Sequence, residues 1–173
     1  MLLDFNFTYL YWFLLYGVMI AFILFLYHRK RPERDEWQKI ICISLFFEIP
    51  YQIFNILGIT VFNLWQNNAN SPFPTLFGSP LETIPFAFLG AVLSLLLFRF
   101  AKNWKEKGIL WVFIGLLCAL QAYLSTLLGF LTWLNWNFLA SFLFWLGLIG
   151  ILIGLDYIPK MGNKLKLNGA KIE

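Results

Sequence analysis

Charge is scarce in this sequence. Asp, Glu, Lys and Arg make up 13% of its 173 residues, about half of what a soluble domain carries on its surface. Histidine is scarcer still: His28 is the only one, which leaves no histidine cluster for a di-metal oxygenase or desaturase. It stands among arginines at the end of an apolar run, where an interfacial residue is expected rather than a ligand. The two cysteines, Cys42 and Cys118, lie inside apolar runs without Cys-x-x-Cys spacing, so no zinc site is expected and both read as small packing residues. The chain also lacks a Gly-rich phosphate loop, a Ser/His/Asp set, an internal repeat, a low-complexity tract and a linker long enough to separate domains. A single domain over residues 1–173 with neither metal nor cofactor is therefore expected.

What is abundant is apolar surface, with 60% of residues hydrophobic and 20% aromatic. These residues gather into runs of about 20 or more, long enough to cross a bilayer as helices. The runs predict an all-α, polytopic integral membrane bundle of five helices over residues 6–27, 40–62, 81–100, 108–130 and 136–157. All 13 basic residues fall after the first, third and fifth runs. The first cluster holds Arg29, Lys30, Arg31, Arg34 and Lys39, the second Arg99, Lys102, Lys105 and Lys107, and the third Lys160, Lys164, Lys166 and Lys171. By the positive-inside rule the N-terminus, residues 64–79 and the link near Asn135 lie outside and the C-terminus is cytoplasmic. A multi-pass protein of the cell membrane, of the bacterial cytoplasmic kind, is the expectation. The formal charge of +4 then faces anionic membrane lipids rather than a nucleic acid. The first run carries its positive charges after it and shows no small-residue cleavage site, so it reads as an anchor and not as a signal peptide.

Polar groups at membrane depth are costly and mark function or helix contact. Glu48 stands about eight residues into the second run, roughly 12 Å along the axis. Gln52 and Asn55 follow at helical spacing and are expected on the same inward face. A carboxyl there, with no cation nearby in sequence, is a candidate proton donor. The alternative is a hydrogen-bonded seam that joins helices, through Gln121 and Ser125 of the fourth. Pro50 predicts a kink that frees a carbonyl at this level. Glu82 also has two readings. It is an acid near the membrane, and it completes a capping box, Ser79-Pro80-Leu81-Glu82, with proline at the first helical position. The loop before it, with Trp65, Pro72, Phe73, Pro74 and Phe77, fits a lid or an interfacial anchor. Asp156, four residues before Lys160, reads as a solvated or salt-bridged helix end. Gly150 and Gly154, with Gly147 a turn earlier, allow close approach of another helix, from this chain or from a second copy.

The stretch from Phe47 to Phe88 carries Phe47-Glu48, then Gly58 to Asn63 (Gly-Ile-Thr-Val-Phe-Asn), then Pro80-Leu81-Glu82 followed by Phe86 and Phe88. In order and spacing it resembles the lycopene cyclase domain of the CarR type, a three-helix membrane unit of bacterial and fungal carotenoid synthesis. With the first helix the similarity covers roughly residues 9–98. Thr83 stands where that family has a second glutamate, and residues 108–157 supply two helices rather than a second three-helix unit.

The resemblance implies redox-neutral cyclisation of a linear polyene, an isomerase-type reaction. A proton added to a terminal double bond starts it and loss of a proton ends it, with aromatic faces stabilising the passing carbocation. Glu82 is the matched acid and Glu48 the second carboxyl, with Tyr51, Gln52 and Asn55 orienting and Phe86 at the substrate. The helical rise sets the two acids roughly 15 Å apart in depth. A long apolar, isoprenoid-like ligand is the expected partner, with a second membrane subunit or a homodimer through Gly150/Gly154 as a further one. Two other classes stay open: a non-enzymatic subunit that binds or passes a small or lipid-like ligand, and a structural helix-packing protein.

Overall fold

The structure is a computed structural model that describes residues 7–68 and 74–169. Five helices follow one another: α1 (Phe7–Lys30), α2 (Arg34–Thr60), α3 (Thr83–Phe100), α4 (Trp104–Leu127) and α5 (Phe138–Gly169). Each contains a span long and apolar enough to cross a membrane. Large apolar side chains such as Phe13, Ile49, Val112 and Leu139 are more than half or about half exposed. An apolar surface of that extent suits lipid contact and is foreign to a soluble monomer. The N-terminal residues 1–6, the loop residues Pro72 and Phe73, and Lys171 lie outside the described residues.

The helices run alternately up and down around α3, whose Ala87, Ala91, Val92, Leu95 and Leu96 are buried. Helix α1 packs on α3, α2 on α3 and α5, and α4 mainly on α5. The small residue at Gly115 permits the last crossing, since a Cβ there would stand 2.8 Å from Leu146 Cδ2. Gly150 faces Trp111 of α4 in the same chain, whereas Gly147 and Gly154 have open space beside them. One end of the bundle collects the basic residues of the α1–α2 and α3–α4 links. There Arg99 pairs with Glu36 of α2 at 3.2 Å and with Asp156 of α5 at 3.4 Å, so Asp156 is salt-bridged, but it lies inside α5 and not at its end, because that helix runs on past the expected residue 157 to Gly169.

Helix bounds differ from the apolar runs for local reasons. Helix α2 begins at Arg34, with Asp35 and Glu36 in its first turn, where acidic side chains complement the helix dipole, and it continues unbroken past Pro50. Helix α4 begins at Trp104 because Asn103 caps it. Glu106 N donates to Asn103 Oδ1 at 2.9 Å, and Glu106 accepts from Asn103 Nδ2 and Lys102 N. Asn103→Ala is expected to cost about 1 kcal/mol in thermal unfolding of the purified protein. An unchanged midpoint would remove the cap from the account. At its other end α4 stops at Leu127, not residue 130. Gly129, at φ +76°, bends the chain back, and Gly129 N and Phe130 N donate to Thr126 O and Ser125 O, closing a Schellman turn.

The links at the other end form structure that the apolar pattern does not announce. Strand β1 (Trp65–Asn67) pairs antiparallel with β4 (Leu131–Trp133), with Gln66 opposite Thr132. Asn68 Nδ2 donates to Gly129 O at 2.7 Å, and Leu134 N and Asn135 N both donate to Leu64 O. A second pair, β2 (Thr75–Leu76) with β3 (Ser79–Pro80), turns through Phe77 and Gly78. Both turn residues have positive φ, 50° and 81°, the requirement of a type I′ hairpin.

Candidate functional site

The start of α3 sets the site. The capping box expected at Ser79–Glu82 does not form: Pro80 belongs to β3, and Glu82 takes the N-cap position without a side-chain capping bond. Instead Thr83 Oγ1 donates to Pro80 O at 2.8 Å. The reason lies in the hairpin, which uses Ser79 and Pro80 as strand while the chain descends beside α2. Gly78 lies near Ile59, close to the end of α2. Five residues later Thr83 Oγ1 stands 3.4 Å from Gln52 Nε2, and Gln52 is eight residues, about 12 Å, below the end of α2.

Helix α3 therefore begins deep in the bundle, and the expected 15 Å offset between the two acids is corrected. Glu48 lies one turn below Gln52, so little more than one helical turn of depth separates it from Glu82. Non-helical backbone at such depth is tolerated where it is buried in protein or lines a cavity. Ser79 and Glu82, each 4% exposed, meet that condition.

The Gln52 amide bonds once within α2 and once across to α3. Nε2 donates to Glu48 Oε2 at 3.2 Å and to Thr83 Oγ1 at 3.4 Å. The Tyr16 hydroxyl, from α1, donates to the backbone carbonyl of Glu82. Three helices thus meet around residues 82 and 83.

Beside them is a cavity of about 130 Å³. Glu82, Tyr51, Asn55 and Phe86 line it, and Glu48 and Gln52 do not. The single face expected for Glu48, Gln52 and Asn55 is thus split. Tyr51 and Asn55 form a row toward the cavity, whereas Glu48 and Gln52 form a row along the start of α3. Gln121 and Ser125 also line the cavity, but they bond to Tyr11 of α1, each at 3.2 Å, and not to the Glu48 row. The seam expected between α2 and α4 is in fact one between α1 and α4.

Aromatic rings make up about half of the remaining wall, with Phe54 packed behind it. Trp12 meets Phe86 edge-on at 6.1 Å, and Tyr51 lies 5.6 Å from Trp145. Trp65 lies 5.5 Å from Trp136, and Phe54 stacks on Phe144 at 3.8 Å. Among the described residues none that lines the cavity is basic, and rings and neutral polar groups surround the buried acid there. Ser79 Oγ and Asn55 Nδ2 are buried without a hydrogen-bond partner among the described residues. Buried polar atoms are rarely left so, and these two are available to a ligand or to water.

Sequence reasoning missed Trp12 and Tyr16, which stand in an aromatic-rich run with nothing to separate them from membrane-interface anchors. It also missed Thr83 as a hydrogen-bonding group, reading it only as an absent glutamate. Compared with family models, with curated proteins and with solved structures, the chain matches none of them.

Proposed function

We propose that this chain is a membrane-embedded cyclase of the lycopene cyclase type, or a subunit of one, that takes one end of a linear, isoprenoid-like molecule into the cavity. One observation carries the reading: Glu82, the acid matched by the resemblance, is 4% exposed on the wall of a cavity faced by Trp12, Phe86 and Trp145. An acid held out of bulk solvent among aromatic rings is what protonation of a double bond requires, and the rings stabilise the cation that results. A volume near 130 Å³ is small beside the roughly 300–1,000 Å³ of pockets that enclose a drug-sized molecule. It suits an end group, with the rest of the chain lying among the helices. Glu82 is the proton donor in this scheme, and the carboxylate it becomes takes back the proton that the cyclised cation loses. Glu48, held behind Thr83 by Gln52, is a positioning residue that supplies the second carboxyl the resemblance seeks at position 83.

The test is expression of the full chain in cells that accumulate a linear carotenoid, followed by chromatography and mass spectrometry of the extracted lipids. A new isomer of unchanged mass is expected, because the proton gained at one carbon is lost from another. Recovery of the linear compound alone, with the protein present in the membrane, overturns the assignment. A second reading, binding or passage of a small ligand without chemistry, is favoured by the unpartnered Ser79 Oγ and Asn55 Nδ2, which a hydrocarbon end group does not satisfy. It predicts an unmodified polar-headed molecule that copurifies with the chain.

In the same proposal the bundle spans a bacterial cytoplasmic membrane with its basic end inside. With the native cysteines replaced by Ser, a membrane-impermeant maleimide added to intact cells should label a cysteine at position 135 and spare one at 34 or 105. The reverse pattern inverts the orientation.

A further inference from the structure

A second cavity, of about 220 Å³, lies at the basic end of the bundle, far from Glu82. Lys30 of α1, Arg99 of α3 and Lys107 of α4 line it, together with Asp156 and Tyr157 of α5. Among the described residues, three cations from three helices thus share one concave surface with one carboxylate. Surface lysines ordinarily spread apart to reduce repulsion, and here the fold holds them together. Lys30 Nζ donates to the backbone carbonyl of Arg99, and Lys107 Nζ donates to the Tyr157 hydroxyl. The Arg99 guanidinium, 11% exposed, is fixed by Glu36 and Asp156, and its Nε is buried with no hydrogen-bond partner among the described residues.

We propose that this cavity binds a phosphate group, carried by the headgroup of an anionic phospholipid. A fixed guanidinium edge and two oriented ammonium groups match the acceptor oxygens of a phosphate. Leu95, Phe98, Ala101 and Ile153 also line it, an apolar side suited to the first carbons of a lipid and of no use to a free ion. The site also stands where the apolar spans give way to basic residues, the level of the headgroups in any bilayer that the helices cross. Glu36 and Asp156 face Arg99, while Lys30 and Lys107 bring their ammonium groups to the same cavity from α1 and α4.

The purified full chain in a neutral detergent is titrated with phosphatidylglycerol, with phosphatidylcholine of the same acyl chains, and with inorganic phosphate, and its thermal midpoint is read. Phosphatidylglycerol at roughly ten times its Kd should raise the midpoint by about 3 °C or more, with phosphatidylcholine giving little change. K30Q/K107Q should lose that rise, while K102Q/K105Q, which removes the same charge from positions outside the cavity lining, should keep it. If K30Q/K107Q does not fold, K107Q is compared with K105Q in the same way. A rise produced by inorganic phosphate alone supports the phosphate site and assigns it to a free anion. Equal response to the two lipids, or equal loss in the two kinds of variant, overturns the site.

Discussion

Replacing Glu82 with Gln is expected to lower the yield of cyclised product at least about 100-fold, the contribution typical of a positioned general acid. Gln has nearly the shape of Glu and still hydrogen-bonds, so the cavity wall and the start of α3 should persist and the protein should reach the membrane in normal amount. What disappears is a proton acidic enough to reach a double bond. Glu82 makes no capping bond for α3, so loss of a helix cap is not available as an explanation of the effect. Glu48→Gln should lower the yield less, because Glu48 does not line the cavity and is joined to its wall through Gln52 and Thr83. Unchanged product from Glu82→Gln would end the assignment of Glu82 as the acid. An equal, severe loss from both variants would move Glu48 from positioning into the chemistry.

The largest structural effect is expected at Gly58. A Cβ built there would stand 2.6 Å and 2.8 Å from two ring carbons of Trp65. Trp65 cannot simply turn away, since its ring is packed against Phe54 and Trp136, each at 5.5 Å, and its backbone is paired in β1. Gly58→Ala should therefore destabilise the protein by about 1–3 kcal/mol, the usual penalty of overpacking. It should also disturb ligand binding, because Trp65 is a wall of the cavity. Thermal unfolding in detergent measures the first effect. Trp65→Leu combined with Gly58→Ala should recover part of the loss, and the two changes should fail to add by 1 kcal/mol or more, as contacting residues do. Strict additivity would mean that the ring and the added methyl never meet.

Much of the fold was legible because two strong signals agreed. Runs of apolar residues located all five helices, and the basic clusters marked which ends lie together, as the Arg99 links to Glu36 and Asp156 bear out. Tyr51, Asn55, Glu82 and Phe86 were legible as a group, and the cavity joins them. The depth at which α3 starts was not legible, because Ser79-Pro80 satisfies both a helix N-terminus and a hairpin strand in local chemistry. The choice falls to a long-range bond between Gln52 and Thr83 that no local window contains. The paired strands were hidden for a related reason: three residues are too few to show alternation, and β1 and β4 lie in different links. By contrast, the Asn103-x-x-Glu106 cap was a readable signal that lost to the apolar boundary four residues later.

The strand pair also bears on how the chain assembles. β1 leaves the ribosome long before β4, and the residues between them include all of α3 and α4. Closing so long a loop is a late, entropically costly event, so the two links join only after the fourth helix is in place. Until then Trp133 and Trp136 are missing from the cavity wall, and the space beside Glu82 stands open on that side. The site is thus completed near the end of synthesis, and a chain that stops before Leu131 would hold the acid without its enclosure.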